Sequence, residues 1–177
     1  MKVTPRFNRR TGAVWASLMV AALWGIDQGI KHYVEATMHL GQRITVIDGV
    51  LWWHYILNPG AAFSMGSSVT WVFTLAMVVA VAVCIYCLYR ARAIWWVLSL
   101  SLLMGGVLGN LTDRLFRPPG FAVGHVVDYI SVQHFAIFNF ADMCICVSMG
   151  CIVVLVMLGV HLDGTVETST REKVDHD

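Results

Sequence analysis

The alternation of hydrophobic and polar positions divides the chain into four long apolar stretches separated by more polar intervals. The stretches lie at about residues 13–33, 70–89, 94–113 and 139–160. A stretch of about 20 residues forms a helix of about 30 Å, which matches the hydrocarbon thickness of a bilayer. The sequence therefore predicts an all-α membrane protein with four transmembrane helices in a single domain over residues 13–160.

The polar interval after the first stretch is predicted to form a small sheet. Gln42–Ile47 and Leu51–Leu57 have the composition of short strands, and Asp48-Gly49 between them is a strong hairpin signal. The interval also carries aromatic residues suited to the headgroup level, namely Trp52, Trp53 and Tyr55. We expect a small sheet at about residues 40–57 on the membrane surface. Asn58 then opens an irregular loop, where local chemistry favours a turn former over a ligand.

Charged residues are few and unevenly placed. They make up 13% of the chain, against about 25% in a soluble domain, and a net charge of +1 gives no electrostatic basis for nucleic-acid binding. Bases concentrate in two places: Lys2, Arg6, Arg9 and Arg10, then Arg90 and Arg92. The positive-inside rule predicts that residues 1–12 and a disordered tail at 161–177 are cytoplasmic. The surface sheet and the start of the fourth helix are then extracytoplasmic.

The five cysteines all lie within apolar runs. Cys84 and Cys87 have the CxxC spacing, but no histidine or second CxxC is placed to complete a zinc site. We interpret the cysteines as small buried hydrophobic residues. The sequence therefore predicts neither a metal nor a cofactor.

The third apolar stretch has a face of small residues that ends in polar ones. Gly105, Gly106 and Gly109 give it a GxxxG spacing suited to close helix packing. The polar residues that continue this face are Asn110, Asp113 and Arg114. The sequence Arg-Pro-Pro-Gly from residue 117 is expected to end the helix.

Asp128 and Asp142 are the candidate chemical groups. Both lie in apolar surroundings within Val126–Asp142, which contains no Lys or Arg. Burial without a compensating cation raises the pKa of a carboxyl group, and two such groups brought together can share one proton, as in aspartic peptidases. The alternative is that the two residues only cap a helix or are simply buried at the membrane interface.

The remaining carboxylates before the tail are less suited to proton sharing. Asp27 has Lys31 one helical turn away, and Asp113 adjoins Arg114; a nearby cation keeps a carboxylate ionised. Asp27 and Lys31 could also form a plain interfacial ion pair that anchors the helix end. The other two acids, Glu35 and Asp48, lie in water-accessible loops.

Five sequence blocks in order resemble those of the bacterial lipoprotein signal peptidases (signal peptidase II). The blocks are Asp27-Gln28 with Lys31; Asn58-x-Gly60-Ala61-Ala62-Phe63-Ser64; Gly105-Gly106-x-x-Gly109-Asn110-x-x-Asp113-Arg114; Val126-Val127-Asp128-Tyr129; and Phe138-Asn139-x-Ala141-Asp142. The resemblance implies four transmembrane helices with an extracytoplasmic β-cradle and a short surface helix. It also implies a multi-pass protein of the bacterial cytoplasmic (inner) membrane.

The resemblance assigns roles to the motif residues. It implies an aspartic endopeptidase that cleaves diacylglyceryl-modified prolipoproteins before the lipidated cysteine, with Asp128 and Asp142 as the catalytic pair, no metal or cofactor, and a monomer in contact with membrane lipid. It implies substrate-binding or supporting roles for Asp27, Lys31, Asn58, Gly60, Asn110, Arg114 and Asn139.

Three other functions remain open on the residues alone. A small proton or ion transporter should carry relay carboxylates at mid-membrane, whereas these carboxylates gather at one face. A non-enzymatic assembly factor would need only the glycine face and the aromatic belt. A serine peptidase would use Ser64 with His54 or His125, although no Ser–His pair on a helix is evident.

Overall fold

The computed structural model describes residues 3–60 and 70–167 and contains four long helices. They are α1 (Arg9–Thr37), α2 (Thr70–Arg90), α3 (Ile94–Phe116) and α4 (Phe140–Met157). Each is long and apolar enough to cross a membrane. The four predicted apolar helices are therefore confirmed. No further helix occurs within 3–60 and 70–167, so the expected short surface helix is not found there.

The central helix is α3, against which the other three pack. It is 61% buried over its apolar window, compared with 11–22% for α1, α2 and α4. Its glycines permit this packing: a methyl group at Gly105 would lie 2.7 Å from the Leu23 side chain, and one at Gly106 would lie 2.6 Å from the Ala141 carbonyl. The predicted small-residue face is thus the contact surface of α3 with α1 and α4.

A four-stranded antiparallel sheet covers one end of the helices. Its strands are β1 (Arg43–Ile47), β2 (Leu51–Asn58), β3 (Val126–Val132) and β4 (Ile137–Phe138), in that spatial order. The predicted hairpin is confirmed as β1–β2, with Gly49 at a φ of 70° in its turn. The sequence analysis missed β3 and β4. Buried on both faces for most of its length, β3 lacks the alternation that identifies a half-exposed strand.

The sheet is fixed to the end of α1 by a small apolar core. Val34 of α1 and Met38, which directly follows α1, pack against Tyr55 of β2 and against Val127 and Tyr129 of β3. In the β2–β3 pairing, Asp128 lies opposite Ile56. The sheet thereby brings the strand that carries Asp128 against the helices.

The segment after α4 makes backbone contacts with the N-terminal segment and the α2–α3 connection. Val3 pairs with Thr165 and Val160 with Val166, and the backbone N–H of Arg92 donates to the Leu162 carbonyl over 2.7 Å. Within the stretch 161–177 that the sequence predicts as a disordered tail, residues 161–167 gain backbone partners from the N-terminal segment and the α2–α3 connection. Residues 168–177 lie outside the described residues.

Candidate active site

Asp128 and Asp142 line the same cavity. This cavity has a volume of about 490 Å³ and receives Asp128 from β3 and Asp142 from the first turn of α4. Asp128 is 2% exposed and Asp142 is half-buried. Apart from the polar residues discussed below, the lining is mainly apolar: Met77, Val126, Phe135, Ala136, Ile137, Phe138, Met143, Ile145 and Cys146. The two carboxyl groups thus lie among the few polar groups that line a largely apolar cavity.

The start of α4 fixes the position of Asp142. Asn139 is the N-cap residue, and its side-chain oxygen accepts a hydrogen bond from the Asp142 backbone N–H over 3.0 Å. The Asp142 carboxylate in turn accepts from the Asn139 backbone N–H over 3.1 Å. This reciprocal capping box satisfies two N–H groups that the helix leaves without partners. Asp142 is therefore held by the helix end itself.

Three asparagine side chains hold the two carboxylates. Asn139 Nδ2 donates to Asp128 Oδ1 over 2.6 Å, and Asn58 Nδ2 donates to Asp128 Oδ2 over 2.8 Å. Asn110 Nδ2 donates to Asp142 Oδ1 over 2.7 Å. Asn139 contacts both acids and so forms a bridge between them. With the bond from the Asn139 backbone to Asp142 Oδ2, each of the four carboxylate oxygens accepts one hydrogen bond, which leaves further acceptor capacity for a water or a shared proton.

The Asn58 side chain both forms the turn of its loop and binds Asp128. Its side-chain oxygen accepts from the Gly60 backbone N–H over 2.9 Å, which is the turn that the sequence favoured. Its amide nitrogen reaches Asp128, as described above. Gly60 itself lines the cavity. Residues Ala61–Ser64 of this motif, including the alternative nucleophile Ser64, lie outside the described residues.

The surroundings of Asp128 favour its protonated form. Burial is the main cause that raises the pKa of this carboxyl, and the negative charge of Asp142 raises it further, to about 7. The hydrogen bonds from Asn58 and Asn139 act in the opposite direction, since they stabilise the ionised form. Near neutral pH the pair is therefore able to hold one proton.

Lys31 lies at the centre of a buried ionic cluster beside the acid pair. Its Nζ is 2.8 Å from Asp27 Oδ2 and 2.7 Å from Asp113 Oδ2, and it donates to Asn110 Oδ1 over 2.9 Å. All three N–H donors of the ammonium group are used. Because Lys31 holds the oxygen of Asn110, the amide nitrogen of Asn110 faces Asp142. Lys31 thus acts on the acid pair through Asn110.

The cations that pair with Asp113 differ from the expected one. Sequence adjacency suggested Arg114, but the partners of Asp113 are Lys31 and Arg117, whose Nε lies 2.6 Å from Asp113 Oδ1. Neighbouring residues on a helix point about 100° apart, whereas residues four apart share a face. Arg117 also pairs with Glu35 of α1. These pairs tie the end of α3 to α1.

Arg114 binds backbone carbonyl groups. It is 1% exposed, and Nη1 donates to the carbonyls of Asn58 over 3.0 Å and Gly124 over 2.8 Å; Nη2 donates to the carbonyl of Gly60. Nε has no hydrogen-bond partner among the described residues. Arg114 therefore holds the start of the Asn58 loop against α3, at the rim of the cavity.

Asp27 and Tyr129 accept hydrogen bonds from two further backbone N–H groups at the start of α4. Asp27 Oδ1 accepts from the Ala141 backbone N–H over 3.1 Å, and the Tyr129 hydroxyl accepts from the Phe140 backbone N–H over 3.1 Å. A methyl group at Gly109 would collide with the Asp27 carboxylate, so this glycine makes room for it. The ion pair of Asp27 with Lys31 is present, but it supports the site as well as the helix end.

The sequence analysis missed the supporting roles of Gln28, Asp113, Arg117 and Tyr129. Gln28 Nε2 donates to Asp27 Oδ2 over 3.1 Å and to the Gly109 carbonyl over 3.0 Å. The i,i+4 spacing of Asp113 and Arg117 was the available signal for their pair. Nothing in the sequence places the Tyr129 hydroxyl. Within residues 3–60 and 70–167, no group of three or more His, Cys, Asp or Glu side chains is arranged to hold a metal.

Comparisons with known proteins match most of the chain. Residues 19–158 match the family described as Signal peptidase (SPase) II. The lipoprotein signal peptidase of Leifsonia xyli subsp. xyli is 43% identical over 167 residues, which cover 93% of this chain and 77% of that protein. The lipoprotein signal peptidase of Streptomyces coelicolor is 39% identical over 161 residues, which cover 91% and 78%.

Solved structures support the fold. One bacterial membrane enzyme superposes with a TM-score of 0.75 at 24% identity, over 89% of this chain and 93% of the other. A second gives a TM-score of 0.72 at 25% identity, over 88% and 98%. The family match spans both candidate acids and every other residue that the sequence assigned to the site. The chain therefore belongs to the signal peptidase II family.

Proposed function

We propose that the protein is a membrane aspartic endopeptidase that removes the signal peptide from diacylglyceryl-modified prolipoproteins. Membership of the signal peptidase II family makes the chain a protease of lipoprotein signal peptides. The aspartic mechanism, the residues and the lipid requirement are the proposed parts. The observation that carries them is the meeting of Asp128 and Asp142 at one cavity, connected through Asn139.

The acid pair activates water in this proposal. One aspartate is ionised and takes a proton from a water molecule, whose oxygen then attacks the scissile carbonyl carbon. The protonated aspartate donates a hydrogen bond to the carbonyl oxygen. The C–N bond breaks as the leaving amine takes a proton from the pair. The pKa of Asp128, raised to about 7, supports a pair that holds one proton at neutral pH.

The apolar part of the cavity suits a lipid-modified substrate. Met77 of α2 and Met143 and Cys146 of α4 line it, so the cavity lies between two helices long enough to span the membrane. Burial of each CH₂ group contributes about 0.8 kcal/mol, so two acyl chains supply more positioning energy than a few polar contacts. The bond before the lipidated cysteine is then held beside the acid pair at a high effective concentration.

The polar neighbours of the acids have supporting roles in the same proposal. Asn110 and Asn139 orient the carboxylates, Asn58 and Arg114 hold the Asn58 loop and are placed to contact substrate backbone, and Gly60 leaves space beside it. Asp27 and Lys31 hold the start of α4 and the Asn110 side chain. We propose a monomer, because one chain supplies both acids and all of these partners.

The proposed orientation places the acid pair at the extracytoplasmic face of the bacterial cytoplasmic (inner) membrane. Arg6, Arg9 and Arg10 lie at the end of the molecule where Arg90 and Arg92 connect α2 to α3. The positive-inside rule makes this end cytoplasmic. Residues 1–12 and 161–177 are then cytoplasmic, and the sheet and the cavity face the other side. Reporter fusions at residues 92 and 119 test this, with a cytoplasmic signal expected only at 92.

The deciding experiment compares lipidated and unlipidated forms of one precursor. Purified protein in detergent should cleave the diacylglyceryl form before the modified cysteine and leave the unlipidated form largely uncut. An Asp128→Asn variant serves as the inactive control, and Arg114→Ala should reduce turnover without moving the cleavage site. Equal rates on both forms would reassign the protein to a general membrane peptidase. Inhibition by a chelator would reject the metal-free aspartic mechanism.

A further inference from the structure

A second cavity of about 430 Å³ lies between α1 and α2 on the surface of α3. We call it the α1–α2 groove. Its α1 side consists of small or apolar residues, with a tryptophan at the end away from Arg9: Ala13, Ala16, Ser17, Val20, Ala21 and Trp24. Tyr89 of α2 lines the opposite end. None of the residues that line the α1–α2 groove lines the cavity of the acid pair.

The length of the groove matches one leaflet of a bilayer. From Ala13 to Trp24 the helix rises about 16 Å at 1.5 Å per residue, which is about half of a 30 Å hydrocarbon core. The volume lies within the range of about 300–1,000 Å³ that is typical of small-molecule sites. An extended acyl chain fits a groove that is apolar, one leaflet long and open along its side.

Positive charge lies at one end of the groove. Arg9 is four residues before Ala13 and therefore on the same face of α1, and its guanidinium lies 5.3 Å from the centroid of the Tyr89 ring. Arg10 and Arg90 are adjacent in sequence to Arg9 and Tyr89, and all three arginines are exposed. The first turn of α1 carries no acid.

Among the residues that the structure describes, the acids at that end do not neutralise Arg9. Asp163 and Glu167 lie in the segment after α4, where the charge of Asp163 interacts with Arg6 and His161. Glu167 lies against Gly159. No described salt bridge engages Arg9, Arg10 or Arg90. These guanidinium groups are therefore available to an anion at the membrane surface.

We propose that the α1–α2 groove binds an anionic phospholipid of the adjacent leaflet. One acyl chain occupies the groove as far as Trp24, and the phosphate contacts the guanidinium of Arg9, which Tyr89 holds at the groove mouth. Guanidinium groups bind phosphate through paired N–H donors. The net negative headgroup matches the surrounding arginines, which gives selectivity over zwitterionic lipids.

Native mass spectrometry of the purified full-length protein tests the charge requirement. The probes are phosphatidylglycerol and phosphatidylcholine with identical acyl chains. We expect the protein to retain one phosphatidylglycerol in preference to phosphatidylcholine. Arg9→Gln should weaken this binding about fivefold, as expected for one basic residue near an anionic lipid. Arg43→Gln is the matched control, because Arg43 also lies over an aromatic ring, that of Trp52, but on the sheet.

A pair of tryptophan substitutions tests the position of the acyl chain. Ala21 and Ala22 are both exposed residues of α1, but only Ala21 lines the groove. Ala21→Trp should fill the groove and abolish retention of phosphatidylglycerol, whereas Ala22→Trp should leave it unchanged. If Ala21→Trp lowers the melting temperature much more than Ala22→Trp does, the proposal is judged only from the retention of phosphatidylglycerol by the Arg9→Gln and Arg43→Gln variants.

Three results would overturn the proposal. One is equal retention of phosphatidylglycerol and phosphatidylcholine by the unmodified protein. Another is unchanged retention in the stable Ala21→Trp variant or in Arg9→Gln. The third is a dimer of the chain that Ala21→Trp dissociates, which would assign the groove to a second copy. None of these measurements depends on peptidase activity, so the result is independent of the proposed function.

Discussion

Replacing Lys31 with methionine tests whether the buried ionic cluster supports the acid pair. Methionine keeps most of the side-chain length but removes a cation that lies 2.8 Å from Asp27 and 2.7 Å from Asp113. Both carboxylates are 0% exposed, so water cannot replace the lost partner. Removing one member of a buried ion pair costs about 3–5 kcal/mol. For a chain of this size that corresponds to a decrease in melting temperature of roughly 10 °C.

The same substitution should lower turnover through Asn110. Lys31 has only donors, so it fixes the oxygen of Asn110 on its own side and the nitrogen toward Asp142. Without Lys31 only the hydrogen bond from Asn139 Nδ2, over 3.1 Å, still holds this oxygen. The amide is then less firmly fixed, and a flipped amide would turn its oxygen toward the Asp142 carboxylate. A small misplacement of a reacting group can reduce kcat about 100-fold. We expect kcat to fall with KM nearly unchanged, because the substrate-binding surface is retained.

Two further variants separate stability from catalysis. Glu35→Gln breaks only the outer pair with Arg117, whose side chains are 31% and 18% exposed, so it should cost at most about 1 kcal/mol. Adding Asp113→Asn to Lys31→Met should recover part of the lost stability, since one buried charge is removed, but it should not recover kcat. Unfolding in micelles and cleavage of a lipidated precursor are the measurements. Near-normal stability and turnover of Lys31→Met would refute this reasoning.

Three further predictions concern the acid pair and its cavity. Asp128→Asn and Asp142→Asn should each reduce cleavage about 10²- to 10⁴-fold with little change in melting temperature, and an active variant would reject the pair. Cleavage should decline as pH rises through about 7, where Asp128 ionises. Asn58→Ala removes a donor that favours the ionised form, so this decline should move to higher pH; a move to lower pH would contradict the assignment. Cys146 lines the cavity and Cys151 does not, so a thiol reagent should inhibit Cys151→Ser but spare Cys146→Ser.

The four helices could be predicted because a bilayer restricts what can cross it. Every backbone polar group of a spanning segment must be satisfied internally, which leaves long apolar helices as the solution for such a sequence. Their ends were less predictable. The first helix begins at Arg9 and not near residue 13, because Asn8 caps it by accepting from the Thr11 backbone N–H over 2.8 Å. Hydropathy does not detect a cap that lies among arginines.

The site was only partly predictable from local sequence. The absence of a neighbouring cation singled out Asp128 and Asp142, and the structure brings these two residues to one cavity. The same reasoning named the wrong partner for Asp113, because its cations come from α1 and from the next turn of α3. Such contacts depend on helix packing, which the glycine face indicates without specifying which side chains meet. The strand that carries Asp128 was missed for a similar reason, since its pairing partner lies about 70 residues earlier.

In the first turn of α4, side chains of the site also satisfy the backbone of the helix, so the folding of α4 and the placement of the acid pair depend on the same residues. A helix begins with N–H groups that lack intrahelical partners, and in a membrane each such group costs several kcal/mol if left unsatisfied. Here the acceptors are side chains of the site: Tyr129 for Phe140, Asp27 for Ala141, and Asn139 for Asp142. Asp142 itself accepts from the Asn139 backbone. An asparagine at 142 can still accept this bond and an alanine cannot, so only the asparagine variant isolates the chemistry from the folding of α4.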